Sequence, residues 1–149
     1  EACRQIRIWQ LQYPADPPLT MNVNLSARQC TEMDLVEKIV EILEKNELDP
    51  GSLKLELTES LVVEDSTATS IMLSKLRDLG IQVQIDDFGT GYSSLSSLHL
   101  LPIDTLKIDR TFINQIGIDN SGNEIVQTIL ALAHSLGMKV MISYPNLRQ

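Results

Sequence analysis

Four short segments alternate apolar and polar residues with a period of two, and helical patterns separate them. In Leu53–Thr58 the residues Leu53, Leu55 and Leu57 share one side, and Lys54, Glu56 and Thr58 share the other. Val83 and Ile85 likewise oppose Gln82, Gln84 and Asp86, and Leu106 and Ile108 oppose Thr105, Lys107 and Asp109. Met21 and Val23 oppose Asn22 and Asn24. Strand–helix–strand repetition implies parallel strands joined by crossover helices. Strands of a doubly wound sheet are buried on both faces and read as continuous apolar runs. One apolar face and one polar face instead fit a curved sheet, with helices outside and a lined site inside. The fold class expected is therefore α/β: a partial (β/α) TIM-type barrel of about five parallel strands.

The strands are expected at Thr20–Asn24, Leu53–Thr58, Gln82–Asp86, Thr105–Asp109 and Lys139–Ser143. Thr31 is the expected N-cap of a helix carrying Glu32 and Asp34 in its first turn and Leu35, Ile39, Ile42 and Leu43 on its apolar face. Further helices are expected over Thr67–Leu79, ended by Gly80, and over Ser93–Leu100, stopped by Pro102. A last one carries Ile125, Ile129, Leu132 and Leu136 and ends at Gly137. A complete barrel takes about 250 residues. The 149 residues here are thus expected to form one partial domain, with a tail at 144–149 that follows no readable pattern.

Composition narrows the chemistry. The net charge of −8 argues against binding the phosphate backbone of DNA or RNA. An anionic small ligand is still admissible if metal ions supply positive charge. Cys3 and Cys30 form no metal motif or disulfide framework, and a reduced cytosolic setting is the default. No apolar run approaches the roughly 18 residues of a membrane span.

In a barrel the active site lies at the C-terminal strand ends. Asn24, Glu56 and Asp86 stand there, one on each of three successive strands, with Lys107 on the polar face of the next. Asp86-Asp87-Phe88-Gly89-Thr90-Gly91 is the sharpest motif. Two carboxylates in one site repel unless a proton or cation lies between them. A hard divalent cation prefers such oxygen ligands. Lys107 beside them would orient a water or stabilise phosphate charge. The plainer readings are a solvated Asp pair opening a turn, a solvated lysine and a turn or cap asparagine.

Asn22-Val23-Asn24-Leu25-Ser26, Leu55-Glu56-Leu57-Thr58-Glu59-Ser60, Ile85 through Leu95 and Leu106-Lys107-Ile108-Asp109 together resemble the EAL domain family. These are bacterial phosphodiesterases that open cyclic di-GMP to linear pGpG, built on a modified TIM barrel. The resemblance implies Asn24, Glu56, Asp86 and Asp87 as metal ligands for Mg²⁺ or Mn²⁺. It implies Lys107, with Asp87, in catalysis, and Glu59 as anchor of the loop Phe88–Ser94. It further implies cyclic di-GMP as substrate, cytoplasmic bacterial signalling, a homodimer through that loop, and an upstream sensory or diguanylate-cyclase domain.

Three departures qualify it. Glu1-Ala2-Cys3 is not the Glu-Ala-Leu signature, because it sits too close to Trp9 and belongs to the following helix. Ser143 stands where the family has a further active-site glutamate. The family's final strands are expected beyond residue 149. These departures predict little or no hydrolysis by this chain alone. Open edges at the strands around Met21 and Met141 predict pairing with another chain. A degenerate module that binds cyclic di-GMP or a protein without cleavage is the competing reading. A different metal-dependent TIM-barrel enzyme explains the strand-end carboxylates but not all four motifs.

Overall fold

The computed structural model describes residues 1–59, 61, 66–89, 95–116 and 120–142. Helix α1 (Ala2–Gln12) leads to β1 (Met21–Asn24), a short α2 (Ala27–Cys30) and α3 (Leu35–Lys45). A 3₁₀ turn over Pro50–Ser52 opens β2 (Leu53–Thr58). Then come α4 (Ser66–Asp78), β3 (Gln82–Phe88), α5 (Leu95–Leu100), β4 (Thr105–Ile108), α6 (Arg110–Gln115), α7 (Asn120–Ser135) and β5 (Lys139–Ile142). The five strands form one parallel sheet in the order β1-β2-β3-β4-β5, with β1 and β5 at its edges. Strand order that follows chain order is the barrel arrangement; a doubly wound sheet reverses direction at a switch point.

The period-two pattern explains the layering. The apolar positions Leu55, Leu57, Val83, Ile85, Leu106 and Ile108 are nearly inaccessible, and they pack in one core with Leu73, Leu76, Leu98, Ile129 and Ala133 of the helices. The polar positions of the same strands face the other way. Their one fully enclosed member is Gln84. Asp104 ties the core strands together: its amide donates to Val83, its carboxylate accepts from the Val83 amide at 2.8 Å, and its carbonyl accepts from Lys139. No described helix is long and apolar enough to cross a membrane.

The structure moves several expected boundaries. Thr31 does not start α3; it caps the end of α2, its hydroxyl donating to the Arg28 carbonyl at 2.8 Å. A capping box formed by Ser26 and Gln29 starts α2. Helix α3 begins after Asp34 without a side-chain cap, and Lys38 pairs with both Glu32 and Asp34. Leu35, Ile39 and Leu43 are buried as expected, but Ile42 is exposed. Strand β3 runs on to Phe88, and β4 stops at Ile108 because Asp109 caps α6. Glu1-Ala2-Cys3 does open a helix, and Cys3 is in the core. Ser143, the tail at 144–149 and loop residues 90–94 lie outside the described residues.

Burial sets the expected response to mutation. Leu106 is wholly inaccessible, so Leu106→Ala should remove about 2–5 kcal/mol in urea unfolding. Leu100 is 66% exposed, so Leu100→Ala should stay within about 0.5 kcal/mol of the parent. Equal effects at the two positions would contradict this placement of the core.

Candidate active site

The site is assembled on the polar face, at the C-terminal ends of β1 to β4. Parallel register sets Asn24 directly opposite Glu56, so their side chains share that face. Lys107 comes from β4 and ends between two carboxylates. Its Nζ lies 2.9 Å from Glu56 Oε1 and 3.0 Å from Asp86 Oδ1. Asn22 adds a hydrogen bond from Nδ2 to the same Glu56 Oε1 at 2.6 Å. Glu56 is buried, and the Lys107 side chain is only 13% exposed. Burial alone would lower the lysine pKa. The hydrogen bonds and charges of Glu56 and Asp86 outweigh it and hold the ammonium above its ordinary value.

A bulge brings the two aspartates together. Ile85 pairs with Leu106, and Phe88 pairs with Ile108, so β3 spends one more residue than β4 over this stretch. The extra residue is taken up around Asp87, whose φ is +54°. Alternation along an ordinary strand would send Asp86 and Asp87 to opposite faces. The chain departs from that alternation through a bulge within the strand, where a turn at its end was expected. Asp86 Oδ1 also accepts from the Asp87 amide at 3.1 Å. Asp87 leans toward Asp109 instead of joining Glu56. Loss of hydration and the negative charges of Asp86 and Asp109 push the Asp87 carboxyl above the usual carboxylate range. Asp109 is held below that range by Thr111, whose hydroxyl and amide bond its carboxylate.

Glu59 is buried just beyond β2, and its carboxylate accepts from the Gly89 amide at 2.8 Å. Glu59 thus holds the start of the loop that follows the aspartates. Gly89 is required there: its φ is +99°, and a Cβ would lie 2.8 Å from the Phe112 ring.

The donor chemistry fits a hard cation. Glu56 and Asp86 already converge on one positive point, the Lys107 ammonium, and Asn24 borders them. All of these donors are oxygens, the ligand type Mg²⁺ or Mn²⁺ takes. The cage is incomplete, however. Among the described residues, no three His, Cys, Asp or Glu side chains lie close enough to hold a metal ion by themselves. Two members of the site, Asn22 and Asp109, were not singled out from the sequence. Asn22 stands on the polar face of β1 two residues before Asn24, and Asp109 follows Lys107 by two residues just past the end of β4; that spacing was the available signal.

The triad should be electrostatically brittle. Lys107→Met should destabilise the fold by roughly 3 kcal/mol, because it leaves the buried Glu56 and the partly exposed Asp86 without their shared cation. Adding Glu56→Gln to that variant should restore more than half, and full stability of Lys107→Met alone would contradict the triad. For Asp87 the folded pKa is raised, so its stabilising share is complete at low pH and lost as pH rises through that value. Asp87→Asn should therefore melt above the parent at pH 7 in the presence of chelator. The margin should shrink below about pH 4, the ordinary aspartate range. A margin that does not change with pH would assign the gain to the left-handed backbone, which Asn tolerates well, and not to charge.

A family model described as EAL domain matches residues 1–144. Among curated relatives, the bifunctional diguanylate cyclase/cyclic di-GMP phosphodiesterase MucR of Pseudomonas aeruginosa is 43% identical over 141 residues, covering 95% of this chain and 20% of its own length. The cyclic di-GMP phosphodiesterase NbdA of the same species is 40% identical over 140 residues, covering 94% of this chain and 18% of NbdA. The chain thus spans about a fifth of the length of these relatives. Among solved structures, a cyclic di-GMP complex of the phosphodiesterase PaMucR matches with a TM-score of 0.87 at 39% identity, covering 99% of this chain and 59% of that one. The EAL domain of Mycobacterium smegmatis DcpA matches with a TM-score of 0.87 at 39% identity, covering 95% of this chain and 63% of that one. The neighbours share a TIM-barrel-like fold, in agreement with the parallel sheet and its one polar face. The chain belongs to the EAL domain family.

Proposed function

We propose that this chain supplies the central strands of a metal-dependent phosphodiesterase domain that opens cyclic di-GMP to linear pGpG. The observation that carries the reading is the convergence of Glu56, Asp86 and Lys107 at successive strand ends, with Asn24 beside Glu56 and Asp87 beside Asp86. Two relatives named as cyclic di-GMP phosphodiesterases, and a relative solved with the dinucleotide, support the substrate. Asn24, Glu56, Asp86 and Asp87 would hold Mg²⁺ or Mn²⁺. Such ions activate water and neutralise a phosphodiester. The protein's own contribution is positional. Lys107 bridges both carboxylates and offsets their mutual repulsion, and its ammonium presents positive charge to an anionic substrate. Glu59 fixes the backbone at Gly89, so the aspartate bulge is held from both sides.

Cytoplasmic bacterial signalling is the setting this activity suits. A diguanylate-cyclase or sensory domain elsewhere in a longer protein fits the name of the MucR relative. Dimerisation through the Phe88–Ser94 region belongs to the same proposal.

The chain by itself is expected to hydrolyse little. Its described acids do not close a metal cage, and the sequence has Ser143 where the family has a glutamate. The same observations favour a second reading, a module that binds cyclic di-GMP without cleaving it. Cyclic di-GMP turnover with Mn²⁺, followed by chromatography of pGpG beside an Asp86→Asn control, tests both. Weak turnover that the control abolishes supports the phosphodiesterase assignment. Saturable binding of the intact dinucleotide with no pGpG from a folded sample supports the module. The absence of both turnover and binding would contradict the assignment of cyclic di-GMP.

A further inference from the structure

We infer that Asn22 is a positioning residue that reserves one oxygen of Glu56 for a metal ion and thereby favours Mg²⁺ or Mn²⁺ over Ca²⁺. The inference rests on the metal-binding part of the proposed function and adds a residue and a selectivity to it. Two donors reach the Glu56 carboxylate among the described residues, and both land on Oε1: Asn22 Nδ2 at 2.6 Å and Lys107 Nζ at 2.9 Å. The amide orientation follows from chemistry, since an ionised carboxylate only accepts and the Asn22 nitrogen is the group that donates.

A donor whose purpose was to satisfy a buried carboxylate would serve better on the other oxygen. Glu56 already shares the Lys107 ammonium with Asp86, and it is 7% exposed. Placing the second donor on the oxygen that Lys107 already holds leaves Oε2 as the oxygen to be offered. It also fixes the carboxylate plane from two strands, with Asn22 on β1 and Lys107 on β4. A carboxylate held in this way gives a metal one oxygen and not two. Mg²⁺ takes about six ligands in near-ideal octahedral geometry, one oxygen from each carboxylate. Ca²⁺ gains from bidentate carboxylates and a larger shell of about six to eight oxygens. The clamp on Oε1 withholds that second oxygen. Asn24, in contrast, stands opposite Glu56, as a residue that would give an oxygen to either ion.

Calorimetric titration of the full chain with Mg²⁺ and with Ca²⁺ tests this, with Mn²⁺ affinity read from the paramagnetic resonance signal of the free ion. Partners that orient metal ligands typically change affinity about 10–100-fold when lost. Asn22→Ala should weaken Mg²⁺ and Mn²⁺ binding by roughly tenfold and Ca²⁺ binding by much less, so the Mg²⁺ to Ca²⁺ ratio should fall at least about threefold. Asn22 is an exposed edge-strand residue, and thermal melts check that the variant folds. Asn22→Ser, whose hydroxyl is too short to reproduce the bond, should shift the ratio in the same direction. Asn24→Ala should weaken both ions alike. An unchanged ratio in both Asn22 variants would overturn the inference and leave the metal reading standing. Failure of the parent chain to bind any of the three ions would overturn the metal reading, and the inference with it.

Discussion

Everything at the strand ends depends on one ammonium held between two carboxylates. Lys107 reaches across from β4 to Glu56 on β2 and Asp86 on β3, and so links three strands through a single charge. The arrangement has an internal logic. The buried Glu56 and the partly exposed Asp86 would repel each other on their shared face. The lysine offsets that repulsion, and its own burial is offset by the same two partners. Asn22 and the Asp87 amide then take up further valences of the two carboxylates. A cluster of this kind gives geometry more than stability. A well-packed apolar set of the same volume would hold the strands at least as well.

The sheet turns that cluster into a site. The apolar faces of the central strands β2, β3 and β4 are packed under helices, and this leaves their polar face for charged groups. The bulge at Asp86–Asp87 adds a second carboxylate without giving up the apolar anchor at Phe88, which returns to the core. Glu59 secures the same turn from β2 through the Gly89 amide. Two strands therefore control the backbone that presents the aspartates, and loss of hydration, with the charges of Asp86 and of Asp109 on the following helix cap, raises the Asp87 carboxyl. Sequence-distant residues act as one unit because parallel register brings their strand ends to a common rim.

Much of this was legible in the sequence. Period-two alternation identified the strands and their inward residues, because a one-face-buried strand has no other way to read. Glu56, Asp86 and Lys107 followed from counting to the strand ends, and Glu59 from the family motif. What escaped has physical causes. The bulge depends on Asp87 adopting a left-handed backbone, which its residue type permits but does not announce. Thr31 looked like an N-cap because Thr suits one, but Ser26 and Gln29 formed an earlier helix and left Thr31 at its end. Asp109 read as a strand residue because the chain continues its alternation, while its carboxylate in fact caps α6. Asn22 was visible on the polar face, but its bond to Glu56 depends on side-chain reach, which spacing does not encode.

Membership of the EAL domain family agrees with the site on two levels, the fold of the neighbours and the order of the motifs. The central claim is that Glu56 and Asp86 form the nucleus of a divalent-cation site. The most direct measurement is anomalous diffraction at the manganese edge from crystals of the chain soaked in Mn²⁺. The account predicts an anomalous peak within coordination distance, about 2.0–2.3 Å, of an oxygen from each of these two carboxylates. Manganese bound only elsewhere on the acidic surface, with none at Glu56 and Asp86, would contradict it.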